Sequence, residues 1–455
     1  MNYKDQLLQK ITSRNVVVGI IGLGYVGLPL AVNFAEAGVK VIGFEKNQDK
    51  VDKVNKGSNY IGDIRDAVLR EVTVDKLKLE ATTDVSRMKE CDALIIAVPT
   101  PLDKFRKPDM SYIESACIDI GQNMKPGTFI SLESTTYPTT TEDFMLPLIK
   151  EYSKKNPQNK SSVTSHSSLV TPFEEGQDFW LAYSPERVDP GNKNFHTRNT
   201  PKVLGATSQD GLEIGEALYL IAIDSIHKVS SPRIAEMVKI LENTYRLVNI
   251  SLINELALLS GKMDINIWEV IEAAKTKPFG FQAFYPGPGI GGHCIPLDPF
   301  YLEYIAKKYQ FDLSMIHAAG HINMRMPHYM YIKIATALNS QKKSVNGSKI
   351  LFIGVAYKPD INDERESPAL EIMDITAHKG GEVNYHDPYI PSVRTGEGRE
   401  FSSIELTEEL LKSSDVVVLT TNHKVLDIDF IQQNSRLVVD LRNMIADKNE
   451  NVFKL

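Results

Sequence analysis

Residues 16–27 read Val-Val-Val-Gly-Ile-Ile-Gly-Leu-Gly-Tyr-Val-Gly, and this stretch decides the fold of the first part of the chain. The apolar run before Gly22 is typical of a buried strand. The glycines Gly22, Gly24 and Gly27 form a G-x-G-x-x-G pattern, and a helical stretch follows that Gly38 is expected to close. Strand, glycine turn and helix in this order are typical of a βαβ unit that binds a dinucleotide.

The glycine turn has a predicted role at each position. Gly22 makes the tight turn, Gly24 lets a pyrophosphate approach the backbone, and Gly27 allows the helix to pack on the strand. Tyr25 and Val26 lie where the first N–H groups of the helix can bind the phosphates. The turn is therefore predicted to be a cofactor site.

Glu45 indicates which cofactor binds. It follows a second predicted strand, residues 39–44, about twenty residues after the glycines, where an acid holds the ribose hydroxyls. A carboxylate there would repel a 2′-phosphate, so the sequence predicts NAD rather than NADP. Lys46 weakens that preference slightly. The alternative is an accidental glycine-rich turn.

Hydroxyl side chains follow two further predicted strands of the same domain. Thr100 comes after the apolar run at residues 93–98, and Thr135 comes after the run at residues 128–132. Because ligands of open parallel sheets bind at the carboxyl ends of the strands, we expect both threonines where cofactor and substrate meet. The alternative for each is an ordinary strand-end cap.

Residues 154–177 carry the least information in the sequence, and the polar, low-complexity run at residues 161–168 within them is expected to be a mobile surface insertion. Regular structure is predicted to return with a short strand at Trp180. Glu186 and Arg187 follow that strand, so they are placed like the two threonines at a strand end.

A long helix is predicted from Pro232 to Leu259, a stretch without internal proline or glycine. Apolar residues recur in it at steps of three and four, and Gly261 is expected to end it. Lys239 and Asn243 are four residues apart and therefore share a face of the helix. The alternative interpretation is that the polar residues of this helix form a solvated face.

Residues 285–300 read Tyr-Pro-Gly-Pro-Gly-Ile-Gly-Gly-His-Cys-Ile-Pro-Leu-Asp-Pro-Phe, which excludes a regular helix or a central strand. Glycines let the backbone approach a ligand, and prolines stiffen the loop. Cys294 lies in the middle, and Asp298 follows four residues later. The functional interpretation is an active-site loop that presents a nucleophilic cysteine. The alternative is a tight turn whose cysteine is a small buried side chain.

The C-terminal third repeats the alternation of strand and helix without the full glycine pattern. An apolar strand at residues 349–356 precedes Lys358, and a helix is predicted to begin at Pro368 with Ser367 as its N-cap. Lys358 and Arg365 lie at the strand end and before the helix, where phosphate groups bind. We expect this domain to bind a nucleotide other than NAD.

Composition excludes several classes of protein. A net charge of -7 and a pI of about 5.9 leave no basic excess for binding nucleic acid. The three cysteines, Cys91, Cys117 and Cys294, are too few and too scattered for a disulfide framework or a metal site. The N-terminus lacks the apolar segment of a signal peptide, and glycines interrupt the one uncharged run, so we expect a cytoplasmic protein without a membrane span.

The predicted fold class is α/β, with two Rossmann-like, doubly wound domains joined by a long central helix and a helical middle domain. The predicted domains are an NAD-binding domain at residues 1–205, a helical domain with the cysteine loop at residues 206–328, and a second Rossmann-like domain at residues 329–455.

The assembled pattern resembles the nucleotide-sugar 6-dehydrogenases of the UDP-glucose/GDP-mannose dehydrogenase superfamily. The resemblance covers nearly the whole chain, and the motif at residues 286–299 is highly specific. Its His-Cys-Ile-Pro form, with Lys-Pro-Phe-Gly-Phe at residues 277–281, is most similar to the branch that acts on UDP-N-acetylhexosamines. Within that branch the chain is most similar to the UDP-N-acetylglucosamine 6-dehydrogenases, with the UDP-N-acetylmannosamine enzymes as neighbours.

The resemblance implies a four-electron, NAD-dependent oxidation at C6 of the sugar, for surface polysaccharide precursors, by a homodimer. Cys294 would carry the substrate as a thiohemiacetal and then as a thioester. Asp298 would support the chemistry of water or base near the thiol. Lys239 and Asn243 would stabilise the developing oxyanion.

The remaining implied roles concern water, substrate and cofactor. Thr135 would hold the catalytic water, and Glu186 would act as the general base in hydrolysis or hold the sugar. The other implied contacts are Lys358 with the UDP phosphates, Arg365 with the NAD pyrophosphate, and Arg187, Tyr285, Gly289 and Gly291 with the substrate.

The chain departs from the UDP-glucose branch at two positions. Pro190 stands where that branch has a second glutamate, and Leu297 stands where it often has lysine. Both departures argue against plain UDP-glucose, and they leave the hydrolytic base less secure. UDP-glucose and UDP-N-acetylgalactosamine stay among the alternatives. More remote alternatives are a two-electron dehydrogenase of the 3-hydroxyacid type and an inactive NAD-binding sensor.

Overall fold

A computed structural model describes residues 2–61, 64–103, 107–159, 171–189, 192, 194–292, 295, 298–446 and 450–455. The chain divides into two compact units. The first unit comprises Met1–Glu242 and Phe300–Tyr309, and the second comprises Asn243–Pro299 and Gln310–Leu455. The predicted boundaries of three domains stay a prediction.

The first unit contains, within the described residues, an eight-stranded sheet in the order β3-β2-β1-β4-β5-β6-β7-β8. Neighbouring strands are parallel except β6 and β7, which are antiparallel. The strands are β1 (Val17–Ile21), β2 (Lys40–Phe44), β3 (Leu79–Thr82), β4 (Ala93–Ile96), β5 (Thr128–Leu132), β6 (Phe179–Tyr183), β7 (Lys202–Ala206) and β8 (Ile226–Lys228).

Helices cover both faces of this sheet. They are α1 (Tyr3–Thr12), α2 (Gly27–Glu36), α3 (Gln48–Asn55), α4 (Asp66–Arg70), α5 (Ser111–Asn123), α6 (Leu146–Ser153) and α7 (Gln209–Tyr219). Alternate residues of β1 enter different hydrophobic clusters: Val18 and Ile20 pack with Phe34 of α2, whereas Ile21 packs with Ile113 of α5. Alternation along a strand that is buried on both faces is the pattern of a doubly wound sheet.

The second unit contains, in its described part, a five-stranded parallel sheet in the order β10-β9-β13-β14-β15, and a two-stranded antiparallel ribbon of β11 and β12. The strands are β9 (Lys349–Ile353), β10 (Glu382–His386), β11 (Ser392–Arg394), β12 (Glu400–Ser402), β13 (Val416–Leu419), β14 (Val438–Asp440) and β15 (Val452–Lys454). The remaining helices are α8 (Pro232–Lys262), α9 (Ile267–Lys275), α10 (Asp298–Ala306), α11 (Ser314–Ser340), α12 (Pro368–His378), α13 (Glu408–Ser413) and α14 (Ile428–Asn434).

A mostly parallel sheet and a parallel sheet, each packed with helices, together with the long α8, confirm the predicted fold class. The predicted capping of α12 is wrong in one respect. Ser367 lies at the N-cap, but its hydroxyl is buried and has no hydrogen-bond partner among the described residues. Gly261 lies inside the last turn of α8 instead of ending it.

Helix α8 is 31 residues long; its Ile240, Leu247 and Ile253 are buried, whereas other large apolar side chains of the helix are exposed within the single chain. These side chains are Leu241, Tyr245, Leu252, Leu256 and Leu259, with exposed fractions of 39–60%.

Among the described residues, no helix combines the length and the apolar character that crossing a membrane requires.

Polar residues of α8 do not form a single solvated face, because Glu236 is completely buried. Its carboxylate accepts hydrogen bonds from the backbone N–H of Thr139 at 2.6 Å and of Thr141 at 2.9 Å, and from the Thr141 hydroxyl at 2.7 Å. Thr139 has a left-handed φ of 84°, which a β-branched residue rarely adopts. Glu236 therefore holds the turn after β5 in an unfavourable backbone conformation.

Substituting Glu236→Gln is expected to flatten the dependence of stability on pH. Burial raises the pKa of Glu236 to about 7, although its hydrogen bonds act in the opposite direction. Because folding raises this pKa, the protonated Glu236 side chain favours the folded state. Its contribution to the free energy of unfolding is complete below about pH 4.5 and is lost as the pH rises through 7, by up to about 3 kcal/mol. The melting temperature of the wild type should therefore fall between about pH 5 and pH 8 by an amount that the glutamine variant lacks.

Thermal unfolding followed by circular dichroism at both pH values measures this difference. Glu71→Gln is the control, because the Glu71 side chain is 47% exposed and pairs with Lys76 at the surface. A Glu236→Gln protein whose melting temperature follows pH as steeply as that of the wild type contradicts the assignment.

Candidate functional site

The glycine turn between β1 and α2 has the conformation that the sequence predicts. Gly22 has φ +91°, and its N–H donates to the carbonyl of Phe44 at 2.8 Å. A Cβ on Gly27 would overlap the carbonyl oxygen of Gly22, whereas a Cβ on Gly24 would have no atom within 4 Å. The turn is thus closed towards the sheet and open above Gly24, where a ligand can approach the backbone.

Glu45 lies directly beside this turn. One carboxylate oxygen accepts the N–H of Leu23 at 3.2 Å, and the other accepts the N–H of Asn47 at 3.0 Å. Val26 occupies the N-cap of α2, where no described side chain caps the helix, and Tyr25 is 49% exposed. An open glycine, an uncapped helix N-terminus and a fixed carboxylate fit the pyrophosphate and ribose of NAD.

The two predicted threonines lie at the carboxyl ends of β4 and β5. Thr100 is buried, and its carbonyl accepts the hydroxyl of Tyr301, a buried residue of α10 that the sequence analysis missed. Thr135 is half-buried, and its hydroxyl forms no hydrogen bond with another described residue. The neighbouring Ser134 donates to the Val98 carbonyl at 2.8 Å, so the end of β5 is tied to the end of β4.

Glu186 and Lys239 are brought together in the first unit. The Lys239 ammonium donates to the backbone carbonyl of Glu186 at 2.6 Å. The Glu186 carboxylate turns back on its own backbone and accepts the N–H groups of Arg187 and Val188, both at 2.8 Å. The guanidinium of Arg187, a predicted substrate contact, forms an ion pair with Glu242 at 2.5 Å.

Asn243 and Asp298 are brought together in the second unit. Both side chains are buried, and the amide of Asn243 donates to the carboxylate of Asp298. Asn243 belongs to α8 and Asp298 begins α10, so this bond anchors the end of the cysteine loop on the long helix. An amide has two N–H donors, which leaves one for a ligand.

The glycines of the cysteine loop pack against the second Rossmann-like sheet region. The N–H of Gly292, which has φ +87°, donates to the carbonyl of Arg365 at 3.0 Å. A Cβ on Gly291 would lie 2.7 Å from the Cβ of Tyr357, and a Cβ on Gly289 would lie 3.3 Å from Pro368. The loop therefore lies on the segment that follows β9 and on the start of α12.

The remaining predicted substrate and cofactor contacts have different surroundings. Lys358 is half-buried beside Tyr357 in the segment after β9. Arg365 forms a bidentate ion pair with Asp363, whose nearest contact is 2.6 Å. The Tyr285 hydroxyl donates to Glu272 at 2.7 Å, and the Tyr285 ring stacks on Trp268.

Arg442 is a further candidate for contact with the substrate, and it was not among the residues predicted from the sequence. It follows β14, donates to the Thr420 carbonyl at 3.0 Å, and contacts Gly287 so closely that a Cβ there would overlap its guanidinium. Burial lowers the pKa of Arg442 to about 10, so it stays a cation at neutral pH. Lys358 was predicted as a binding residue because it follows a buried parallel strand. Arg442 also follows such a strand, so the same signal could have identified it.

Several predictions fall outside the described residues. These are Cys294 with its neighbour His293, the two departures Pro190 and Leu297, and residues 160–170 of the polar segment. The described cysteines, Cys91 and Cys117, are buried in the core of the first unit, and burial raises the pKa of both thiols. Because a thiolate is the reactive form, neither is suited to be a nucleophile, which leaves Cys294 as the candidate.

Replacing Glu45 with alanine is expected to weaken NAD binding about tenfold to a hundredfold, because hydrogen bonds from both ribose hydroxyls to a carboxylate are lost. Binding of NADP should be affected less, so the ratio of the two affinities falls. Isothermal titration calorimetry with each cofactor measures both effects. Asp52→Ala is the control, because Asp52 is exposed on α3, where its carboxylate accepts a hydrogen bond from Gln48. Unchanged NAD affinity in a folded Glu45 variant would overturn the role of this residue.

Three models of the UDP-glucose/GDP-mannose dehydrogenase family match the chain. The NAD binding domain matches residues 16–223, the central domain residues 233–325, and the UDP binding domain residues 351–447. The UDP-N-acetyl-D-mannosamine dehydrogenase of Pyrococcus horikoshii is 33% identical over 94% of this chain and 96% of its own length. The UDP-N-acetyl-D-glucosamine 6-dehydrogenase of Pseudomonas aeruginosa is 32% identical over 83% of this chain and 84% of its own length.

A solved structure of the UDP-D-ManNAc dehydrogenase from Pyrococcus horikoshii has the same fold, with a TM-score of 0.83 at 31% identity, over 96% of this chain and 99% of that chain. The match of the NAD binding domain confirms NAD as the predicted cofactor. These matches confirm the resemblance seen in the sequence: the chain belongs to the UDP-glucose/GDP-mannose dehydrogenase family.

Proposed function

We propose that the protein oxidises the C6 hydroxymethyl group of a UDP-N-acetylhexosamine to a carboxylate, in two NAD-dependent steps on one active-site cysteine. The observation that carries the proposal is the buried hydrogen bond between Asn243 and Asp298. It joins the predicted oxyanion donor on α8 to the residue four positions after Cys294. Asp298, at the end of the cysteine loop, is thereby anchored to the helix that carries Asn243.

The first oxidation converts the C6 alcohol to an aldehyde by loss of a hydride and a proton. Bound NAD supplies the hydride acceptor, one molecule for each of the two oxidations. The Lys239 ammonium has three N–H donors, of which one is used on the Glu186 carbonyl, so donors remain for the substrate oxygen. Lys239 and Asn243 together would stabilise negative charge on that oxygen.

Cys294 would then hold the intermediate. Its thiolate adds to the aldehyde carbon and forms a C–S bond, which gives a thiohemiacetal. Loss of the second hydride, together with loss of the proton of the thiohemiacetal hydroxyl to water, turns this into a thioester. The covalent bond keeps the reactive aldehyde from escaping between the two oxidations.

Hydrolysis completes the reaction. Water attacks the thioester carbon, the C–S bond breaks, and the carboxylate and the free thiol are released. Glu186 would accept the proton of the water, and the Thr135 hydroxyl, which has no other described partner, would hold the water in place.

For the sugar, we place UDP-N-acetylglucosamine first, on the form of the cysteine loop, and the departures at Pro190 and Leu297 argue against UDP-glucose. UDP-N-acetylmannosamine is the second candidate. It is favoured by the similarity to the Pyrococcus horikoshii enzyme over nearly the full length of both chains. The two sugars differ only in the configuration at C2, so the groups around the N-acetyl substituent decide between them.

Incubation with NAD and one sugar at a time is expected to give two NADH per UDP-N-acetylhexosamine consumed. NADH absorbance and the quantity of UDP-uronate, measured by mass spectrometry, provide the ratio. The panel is UDP-N-acetylglucosamine, UDP-N-acetylmannosamine, UDP-N-acetylgalactosamine and UDP-glucose, and we expect the highest kcat/KM for the first. One NADH per sugar, with aldehyde as the stable product, would refute the four-electron reaction.

The variant Cys294→Ser is expected to lower the rate of uronate formation about 100-fold or more, because a serine hydroxyl is far less nucleophilic than a thiolate. Hydroxylamine should trap an aldehyde from the variant but not from the wild type. Cys117→Ala, a substitution in the buried core, is the control and should keep the stoichiometry of two. Full activity of the serine variant would show that no thioester forms.

A further inference from the structure

Lys202 and Glu133 form a buried ion pair directly behind Glu186. Lys202 begins β7, and Glu133 follows β5. The Lys202 ammonium lies 2.6 Å from Oε2 of Glu133, and the two side chains are 5% and 0% exposed. The same ammonium lies 3.9 Å from Oε2 of Glu186. One lysine therefore faces two carboxylates at the carboxyl end of the sheet.

We infer that Lys202, fixed by Glu133, is a positioning residue that holds the Glu186 carboxylate for the hydrolysis of the thioester. This role rests on the proposed function, because Lys202 and Glu133 act on the reaction through Glu186. Neither member of the pair needs to touch the substrate.

The two oxygens of Glu186 have different environments. Oε1 accepts the N–H groups of Arg187 and Val188, so it is committed to the local turn. Oε2 is the oxygen left to accept a proton, and it is the one that faces Lys202. Lys202 also approaches the carbonyl of Pro185 at 3.4 Å, so it contacts the backbone that carries Glu186 as well as its carboxylate.

The ammonium itself has little freedom to move. It lies 5.4 Å from the centre of the Tyr219 ring, a distance at which a cation is attracted to the ring face. The hydroxyl of Tyr219 is bonded to Ser131 on β5 at 2.9 Å. Oε1 of Glu133 has no hydrogen-bond partner in the described part of the chain. The Lys202 ammonium is therefore the main group that stabilises the buried Glu133 carboxylate.

A structural role alone is a weak explanation of this arrangement. A buried ion pair contributes little net stability, because desolvation of both charges offsets their attraction. Removal of one member leaves an uncompensated buried charge, and that would unfold the site for reasons unrelated to Glu186. The informative change is therefore the neutral double variant Lys202→Met with Glu133→Gln, which removes both charges at similar volume.

Pre-steady-state kinetics with NAD and UDP-N-acetylglucosamine test the inference. The double variant should produce the wild-type burst of two NADH per active site. Its thioester should then hydrolyse about 100-fold more slowly, because Oε2 of Glu186 is no longer held where it can accept the proton of the attacking water. Intact-protein mass spectrometry should show the uronyl adduct accumulating on the protein. Lys202→Arg, which keeps the cation, should restore most of the hydrolysis rate.

Lys10→Met is the matched control, because Lys10 pairs with the buried Asp92 at 2.7 Å in the same unit, where Lys125 remains as a second cation. A double variant that hydrolyses the thioester at the wild-type rate overturns the inference and leaves the proposed function standing. A parallel fall of burst and hydrolysis, matched by a fall in melting temperature, also overturns it. A wild-type protein that forms no thioester overturns the proposed function and the inference together.

Discussion

The structure depends on the hydrogen bonds of polar side chains that α8 carries into buried surroundings. The pairs are Glu236 with Thr139 and Thr141, Asn243 with Asp298, and Asn254 with Gly287. A buried polar group without a partner costs about 1–3 kcal/mol, so each pair fixes a loop to the helix. Short segments at the ends of strands and loops thus gain defined positions from one long helix.

The parallel sheets supply the second constraint, because they bring the ends of distant strands to a common edge. In the first unit Thr100, Glu133 and Glu186 follow β4, β5 and β6, which are neighbours in the sheet. Charged groups at such an edge are close enough to set each other's position. The buried Lys202 is an example, since its partners come from two different strand ends.

Local patterns in the sequence identify much of this fold and part of the site. The glycine turn, Glu45 and the long helix are visible because their signals lie within about twenty residues. A polar side chain often pairs with a residue that is far away in the chain, so local sequence patterns do not predict which partner it has. Arg187 follows a strand like a binding residue, yet it pairs with Glu242, and no local pattern shows that Glu236 is buried.

The tight packing of the cysteine loop has a consequence for engineering. Arg442 occupies the space beside Gly287, and Tyr357 occupies the space beside Gly291 and Gly292. A library that randomises these glycines would mainly yield proteins with a displaced loop. Attempts to retarget the enzyme to another sugar should therefore leave the glycines intact and vary the larger residues that press against them, since those side chains shape the loop from outside.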